Sequence, residues 1–272
     1  MSTHQPQKGQ HAHGYHSSFS KELEQRTAEE NVAFLLPHLK SGDRLLDVGS
    51  GRGMTTIALA QTVAPGGTVG VEIEESQVEI ARQNAGDAGV ANIRFMAGTA
   101  HELEFEDESF DVVFMHYVLE HIDRPQDTLA EARRVLRPGG IIAVRHGDRG
   151  AYDVLYPEAP AIQLLHSRFM QPLRDSGVDA RFGPRQEREL RAAGFSDMKT
   201  RVAADPRGHM ADVYAEMLEN RAPRFVSEGI FSEEEFGDDK FMSGIVEGIR
   251  EWSKHPDAIW ILTVSWETIG WK

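Results

Sequence analysis

Between Asp43 and His146 the chain alternates short apolar runs with longer mixed stretches. The apolar runs Arg44–Val48, Thr68–Ile73, Ile93–Ala97, Asp111–Met115 and Ile141–Arg145 are rich in Val, Ile, Leu and Phe. Short apolar runs of this kind predict strands. The stretches between them predict helices at about Met54–Val63, Ser76–Ala88 and Gln126–Leu136, with turns at Pro65-Gly66-Gly67 and Arg137-Pro138-Gly139-Gly140. Strands that alternate with helices imply a parallel sheet covered on both faces. Ahead of this block, Ser20–His38 reads as a helix with Val32, Phe34, Leu35 and Leu36 late in it and Pro37 near its end. Beyond it the pattern loosens. Helices are expected at Ala161–Ser176 and Arg185–Ala193, and a strand at Met198–Val202. Residues 206–256 are acidic and helical, including Ser232–Asp239 and Lys240–Ser253, and Ala258–Val264 is apolar enough for a last strand. No internal repeat or long low-complexity tract interrupts the chain.

The first strand runs into Asp47-Val48-Gly49-Ser50-Gly51-Arg52-Gly53, then a helix. Glycines permit a tight turn and let the backbone approach a ligand closely. The helix N-terminus beyond offers free N–H groups to an anionic group. A nucleotide-like cofactor is therefore expected on this loop. A dinucleotide fingerprint would need a glycine at position 54, where Met54 stands. Asp47, two residues before Gly49, suits a cationic ligand group better than a pyrophosphate. Glu72, at the end of the second strand, is placed to accept hydrogen bonds from ribose hydroxyls, and Ile73 beside it to cover an adenine face. The small residues Gly98, Thr99 and Ala100 after the third strand let a flat ring pack against the backbone.

The 272 residues, 40% hydrophobic, suffice for one large domain with insertions or a domain with a cap. The absence of cysteine excludes disulfides, thiolate metal sites and cysteine nucleophiles. A net charge of −14 repels nucleic acid and anionic lipid, so a small molecule is the expected partner. The polar start MSTHQPQKGQHAHG lacks the apolar segment of a secretory signal, and no apolar run approaches the roughly 20 residues of a membrane span. A cytoplasmic protein is the expectation; oligomeric state is left open. His11, His13 and His16 cluster without a partner carboxylate at ligand spacing, so no metal site is expected.

The glycine loop resembles motif I of class I S-adenosylmethionine-dependent methyltransferases. Phe110-Asp111-Val112-Val113-Phe114-Met115-His116-Tyr117-Val118-Leu119-Glu120-His121 resembles the segment after strand four in that superfamily, and Val135-Leu136-Arg137-Pro138-Gly139-Gly140 completes the pattern. The resemblance covers residues 43–146, and the chain looks most like the methyltransferases similar to the ubiquinone/menaquinone biosynthesis enzymes. It implies an α/β, Rossmann-like, seven-stranded and mostly parallel sheet, with helices on both faces, a helical lid and an antiparallel last strand. It implies S-adenosylmethionine as cofactor and methylation of a small-molecule acceptor at O, N, S or C. The implied cofactor residues are Arg26, Asp47, Gly49, Ser50, Gly51, Gly53, Glu72, Ile73, Gln77, Gly98, Thr99, Ala100, His116 and Tyr117, the last two beside the sulfonium and its methyl. Thr99 stands where related enzymes usually carry Asp; its hydroxyl can still accept from an adenine amine.

The expected division is 1–40 as a segment and helix covering the cofactor and 41–150 as the binding core. Residues 151–257 are lid insertions that also hold the end of the core sheet (185–204), and 258–272 the last strand. Tyr15, His16 and Phe19 are placed to close over the site. Arg26 and Thr27 either reach a methionine carboxylate or form a solvated helix face. His116 or His146 is the candidate base for an acceptor proton, with Asp148 orienting a histidine or holding an acceptor amine. Tyr152, Tyr156, Phe169 and Met170 either wall an apolar pocket or pack as ordinary core, and His121 is read as structural. An NAD-dependent oxidoreductase and a binding protein without methyl transfer are the alternatives.

Overall fold

A computed structural model of the protein describes residues 28–148, 154–175, 178–204, 210–261 and 264–272. After a short helix α1 (Ala28–Val32), the strands β1 (Leu45–Val48), β2 (Thr68–Glu72), β3 (Ile93–Ala97), β4 (Phe110–His116) and β5 (Leu136–Asp148) alternate with helices α2 (Met54–Val63), α3 (Glu75–Asp87) and α4 (Pro125–Val135). There follow β6 (Val154–Tyr156), α5 (Pro160–Asp175), α6 (Gln186–Ala192), β7 (Ser196–Ala204), α7 (Met210–Glu219), α8 (Arg224–Ser227), α9 (Glu233–Gly237), α10 (Asp239–Ser253), β8 (Ile259–Ile261) and β9 (Val264–Trp271). The main sheet has seven strands in the order β3-β2-β1-β4-β5-β9-β7. β1 to β5 pair in parallel, and β9 runs antiparallel to both β5 and β7.

Every residue of β1 and β2 is buried. That matches their near-continuous apolar sequence, since a parallel strand is covered on both faces. One face packs Val32, Leu35, Leu45, Leu59, Val112 and Phe114; the other packs Leu46, Val48, Val113, Leu129, Val135 and Val144. The sheet reverses its strand order between β1 and β4, which places the carboxyl ends of those strands at the crevice where ligands bind in open α/β sheets.

Residues 154–175 and 210–261 build a separate apolar cluster, with Ile162, Leu165, Tyr214, Phe225, Ile249, Trp252 and Trp260 at its centre. α10 buries Met242, Ile245, Val246, Ile249 and Trp252, an apolar stripe at helical spacing. Its start is fixed by Asp238, whose carboxylate accepts from the amides of Lys240 (3.0 Å) and Phe241 (3.1 Å).

Two elements differ from the sequence expectation. The apolar run at 258–264 does not supply the seventh strand: Ile259–Ile261 pairs with Val154–Tyr156 in a two-stranded sheet of its own. The seventh strand is Val264–Trp271, where Glu267 and Thr268 sit inside the sheet at 1% and 0% exposure. These polar residues hide the strand from an apolar pattern. The segment 137–140 does not simply end a helix either; it lies within β5, with an irregularity in the β4–β5 register opposite Phe110 and Val112.

Candidate functional site

The three alternate glycines of the loop after β1 have positive φ: Gly49 (+76°), Gly51 (+51°) and Gly53 (+78°). They do different work. A Cβ on Gly49 would lie 2.4 Å from Val118 Cγ2, and one on Gly53 2.5 Å from the Phe95 ring, so both are packing positions. Among the described residues a Cβ on Gly51 would meet nothing within 4 Å, so this residue faces open space there. The loop is held from outside by Glu72. Its Oε2 accepts from Gly51 N at 2.9 Å, and its Oε1 accepts from Ile73 N (2.8 Å) and Glu74 N (3.2 Å). Glu72 is 3% exposed, and Ile73 beside it is 55% exposed, an apolar side chain at the surface. Gly70 completes the arrangement and was missed from sequence: a Cβ there would strike Phe95 at 2.4 Å and Ser50 at 2.9 Å.

Asp47 lies beneath the loop, buried, with Thr56 Oγ donating to its Oδ2 at 2.6 Å. Burial raises its pKa to about 7, helped by the nearby Glu72 carboxylate and opposed by the Thr56 bond. A cation arriving here would restore the charged form. Ser50 Oγ and Gln77 Oε1 are buried polar atoms that find no hydrogen-bond partner among the described residues. Gly98 N donates to Glu72 O at 3.0 Å, which brings the third strand's small residues to the same edge; Thr99 Oγ accepts weakly from His101 N at 3.3 Å. Open space before Gly51, buried acids under it and orphaned polar atoms around it fit a ligand with a cationic group, hydroxyls and a flat ring.

The other end of the edge is basic. β4 and β5 bring His116 and Arg145 into register. Arg145, 7% exposed, donates from Nε to Glu267 (3.1 Å) and from Nη1 to Asn31 Oδ1 (2.7 Å) and His116 Nε2 (3.1 Å). Arg201 Nε donates to the second oxygen of Glu267 at 2.5 Å. Tyr117 follows in a left-handed conformation (φ +55°), a strained choice for a non-glycine residue of the kind that gathers at functional sites. Its hydroxyl pairs with Ser265 Oγ at 2.9 Å, and the Arg145 guanidinium lies 5.9 Å from its ring. Asn31, Ser265 and Glu267 carried no sequence assignment, and Arg145 was placed only as the start of the Arg145–Asp148 segment expected near the acceptor. The available signal was a polar residue inside an apolar or strand-like run, repeated in several elements.

His146 departs from the role expected of it. It is fully buried; its Nε2 accepts from Leu119 N (3.0 Å) and its Nδ1 faces Gln186 Oε1 (3.1 Å). Burial depresses its pKa to about 3. With both nitrogens engaged and no exposure, it braces the turn after β4 and cannot reach an acceptor proton. Asp148 is also fully buried, 3.4 Å from Arg181 Nε. His121 Nε2 lies 3.5 Å from Glu120 in a largely buried setting. Phe169 and Met170 do not wall an open pocket: Phe169 packs its ring on Tyr214 and Phe225 within the helical cluster, and Met170 is buried. Tyr156 is 59% exposed on the small sheet. Tyr15, His16, Phe19, Arg26, Thr27 and Tyr152, with His11 and His13, lie outside the described residues. Among the described residues no His, Asp or Glu group could hold a metal, and no helix is long and apolar enough to cross a membrane.

Comparison with known proteins gives this geometry a family. A family model described as "Methyltransferase domain" matches residues 39–176. The chain is 40% identical over 135 residues to the 27-O-demethylrifamycin SV methyltransferase of Amycolatopsis mediterranei, covering 48% of this chain and 49% of that protein. It is 37% identical over 139 residues to the demethylmenaquinone methyltransferase of Staphylococcus aureus, covering 50% and 54%. The chain thus spans about half the length of the curated relatives it matches. Among solved structures, the fold is similar to phosphoethanolamine N-methyltransferase 2 of Haemonchus contortus, bound there to phosphomonomethylethanolamine and S-adenosylhomocysteine. That match has a TM-score of 0.59 at 20% identity, over 90% of this chain and 52% of the other. The chain belongs to the methyltransferase-domain family, whose class I S-adenosylmethionine-dependent members the glycine loop resembles.

Proposed function

We propose that this chain binds S-adenosylmethionine at the acidic half of the edge and transfers its methyl group to a small-molecule acceptor at the basic half. The observation that carries this is the loop at Gly51, open in front and held from behind by Glu72, above the buried Asp47. Glu72 would take the ribose hydroxyls, Asp47 the cationic end of the methionine moiety, and exposed Ile73 an adenine face. Ser50 and Gln77 supply further polar contacts. The relatives named above are all called methyltransferases, which favours transfer over mere binding and over an oxidoreductase.

The cofactor supplies an already activated methyl group, so the chain's task is alignment. His116 does not serve as a base. Arginine is only a donor, so Nε2 of His116 must accept from Arg145, and the ring proton of the neutral form sits on Nδ1. His116 then carries its ring proton on Nδ1 at the end of β4, and His146 is out of reach. Proximity and orientation, worth roughly 7–11 kcal/mol in favourable cases, carry the rate. The helical cluster of residues 154–175 and 210–261 is assigned as the acceptor-side lid, supported by its own apolar core. The segment ahead of β1 is assigned as the cofactor cover; its described part packs on the sheet through Val32 and Leu35, and Asn31 reaches the acceptor half at Arg145.

The test is S-adenosylhomocysteine production against a panel of phenols, carboxylic acids, quinones, thiols and amines. Methylation of at least one member is expected. Binding of S-adenosylmethionine with no turnover on any member would favour the binding-only alternative; binding of NAD instead would favour the oxidoreductase.

A further inference from the structure

The geometry points to Arg145 as an anion-recognition residue of the acceptor pocket, so that the methyl acceptor carries a carboxylate or phenolate oxygen. This rests on the methyltransferase reading above and names its substrate class. Arg145 is 7% exposed, yet only Nε and Nη1 are used; among the described residues, Nη2 donates to no group. Arginine's planar fork suits an oxyanion, and the arm left over is not among the buried unpartnered atoms, so it is the part of the guanidinium that an arriving ligand can meet. The charge around it is unbalanced in the right direction. Arg145 and Arg201 share one carboxylate, Glu267. Asp148, on the same strand, is matched by Arg181. Among the described residues one positive charge therefore remains at this spot, in a chain whose net charge is −14. Its position separates it from the cofactor loop: β4 lies between β5 and β1, so Arg145 sits about 10 Å from that loop across the sheet. It touches His116 and Tyr117, which the resemblance places beside the donated methyl. An acceptor that arrives as an anion also needs no base, consistent with a His116 whose Nε2 is taken by Arg145 and a His146 with both nitrogens engaged.

The experiment measures, by calorimetry at pH 8 on protein saturated with S-adenosylhomocysteine, the binding of two matched probe pairs: benzoate against benzamide, and 4-nitrophenolate against 4-nitroanisole. The anionic member of at least one pair should bind about tenfold or more tightly than its neutral partner, since a charge-assisted bond is at stake. Which pair shows the preference distinguishes carboxylate from phenolate. Arg145→Gln should erase the preference while affinity for S-adenosylhomocysteine stays within about threefold. Should Arg145→Gln fail to fold, Arg145→Lys keeps a cation and should weaken only the anionic member. Equal binding of both members of both pairs, no binding of any probe, or a loss in Arg145→Gln confined to S-adenosylhomocysteine overturns the proposal. Failure of the wild type to bind S-adenosylhomocysteine overturns the methyltransferase reading instead.

Discussion

The two halves of one sheet edge are opposite in charge and built by different means. At the ends of β1 and β2 the site is made of backbone: positive-φ glycines, free space at Gly51, and the carboxylates of Asp47 and Glu72 tucked against main-chain amides and a threonine. At the ends of β4, β5 and β9 it is made of long side chains, with Arg145 tying Asn31, His116 and Glu267 together. The first half is local in sequence and the second is assembled from distant segments. A backbone-built half suits the constant part of the reaction, the cofactor. A side-chain-built half can change acceptor by substitution without disturbing the loop.

The comparison breaks most sharply at Gly51. Gly51→Val places a branched side chain in the open space and in a left-handed backbone position. Cofactor affinity should fall by at least about 100-fold, by calorimetry, and the backbone strain should cost only about 1–3 kcal/mol of stability. Retained affinity would show that the open space is not the binding space. Glu72→Ala removes two charge-assisted bonds to a ligand, each about 1.5–3 kcal/mol, and loosens the Gly51 amide. A loss of about tenfold or more is expected in a protein that still folds; unchanged affinity would make Glu72 a brace for the loop alone.

Asp47 sharpens the acidic half through pH. With its pKa at about 7, it must ionise to pair with a cationic ligand group. Affinity should therefore fall by up to about tenfold for each pH unit below 7, with proton release on binding. Flat affinity between pH 6 and 8 would remove Asp47 from the cation site. The smallest effect lies at His146. Its folded pKa is depressed to about 3 from 6.5, so its contribution to stability is present above pH 6.5 and is lost as pH falls toward 3. The slope is at most about 1.4 kcal/mol per pH unit. Melting curves at pH 7 and pH 5 should show a smaller difference in His146→Gln than in the wild type. An unchanged acid loss in the variant would place the sensitivity elsewhere.

Much of the acidic half was legible because it is local. The glycine spacing, Asp47 before it and Glu72 at the next strand end lie within one β-α-β unit, and the strands there are buried throughout. The basic half was legible only as His116 and Tyr117. Arg145 and Glu267 are 122 positions apart and Arg145 and Asn31 are 114 apart, so no local window contains the pair. The same buried ion pair explains the displaced seventh strand, since Glu267 breaks the apolar pattern of Val264–Trp271 while Ile259–Ile261 of the two-stranded sheet imitates it. His146 looked like a base because its ring is a good base in water. Only the fold shows Leu119 and Gln186 on its two nitrogens.

The most direct measurement is a pair of titrations of the whole chain by calorimetry, one with S-adenosylhomocysteine and one with NAD. The account predicts that S-adenosylhomocysteine binds at one site per chain, that Gly51→Val abolishes this, and that NAD gives no comparable heat. Tight binding of NAD with no response to S-adenosylhomocysteine would contradict it.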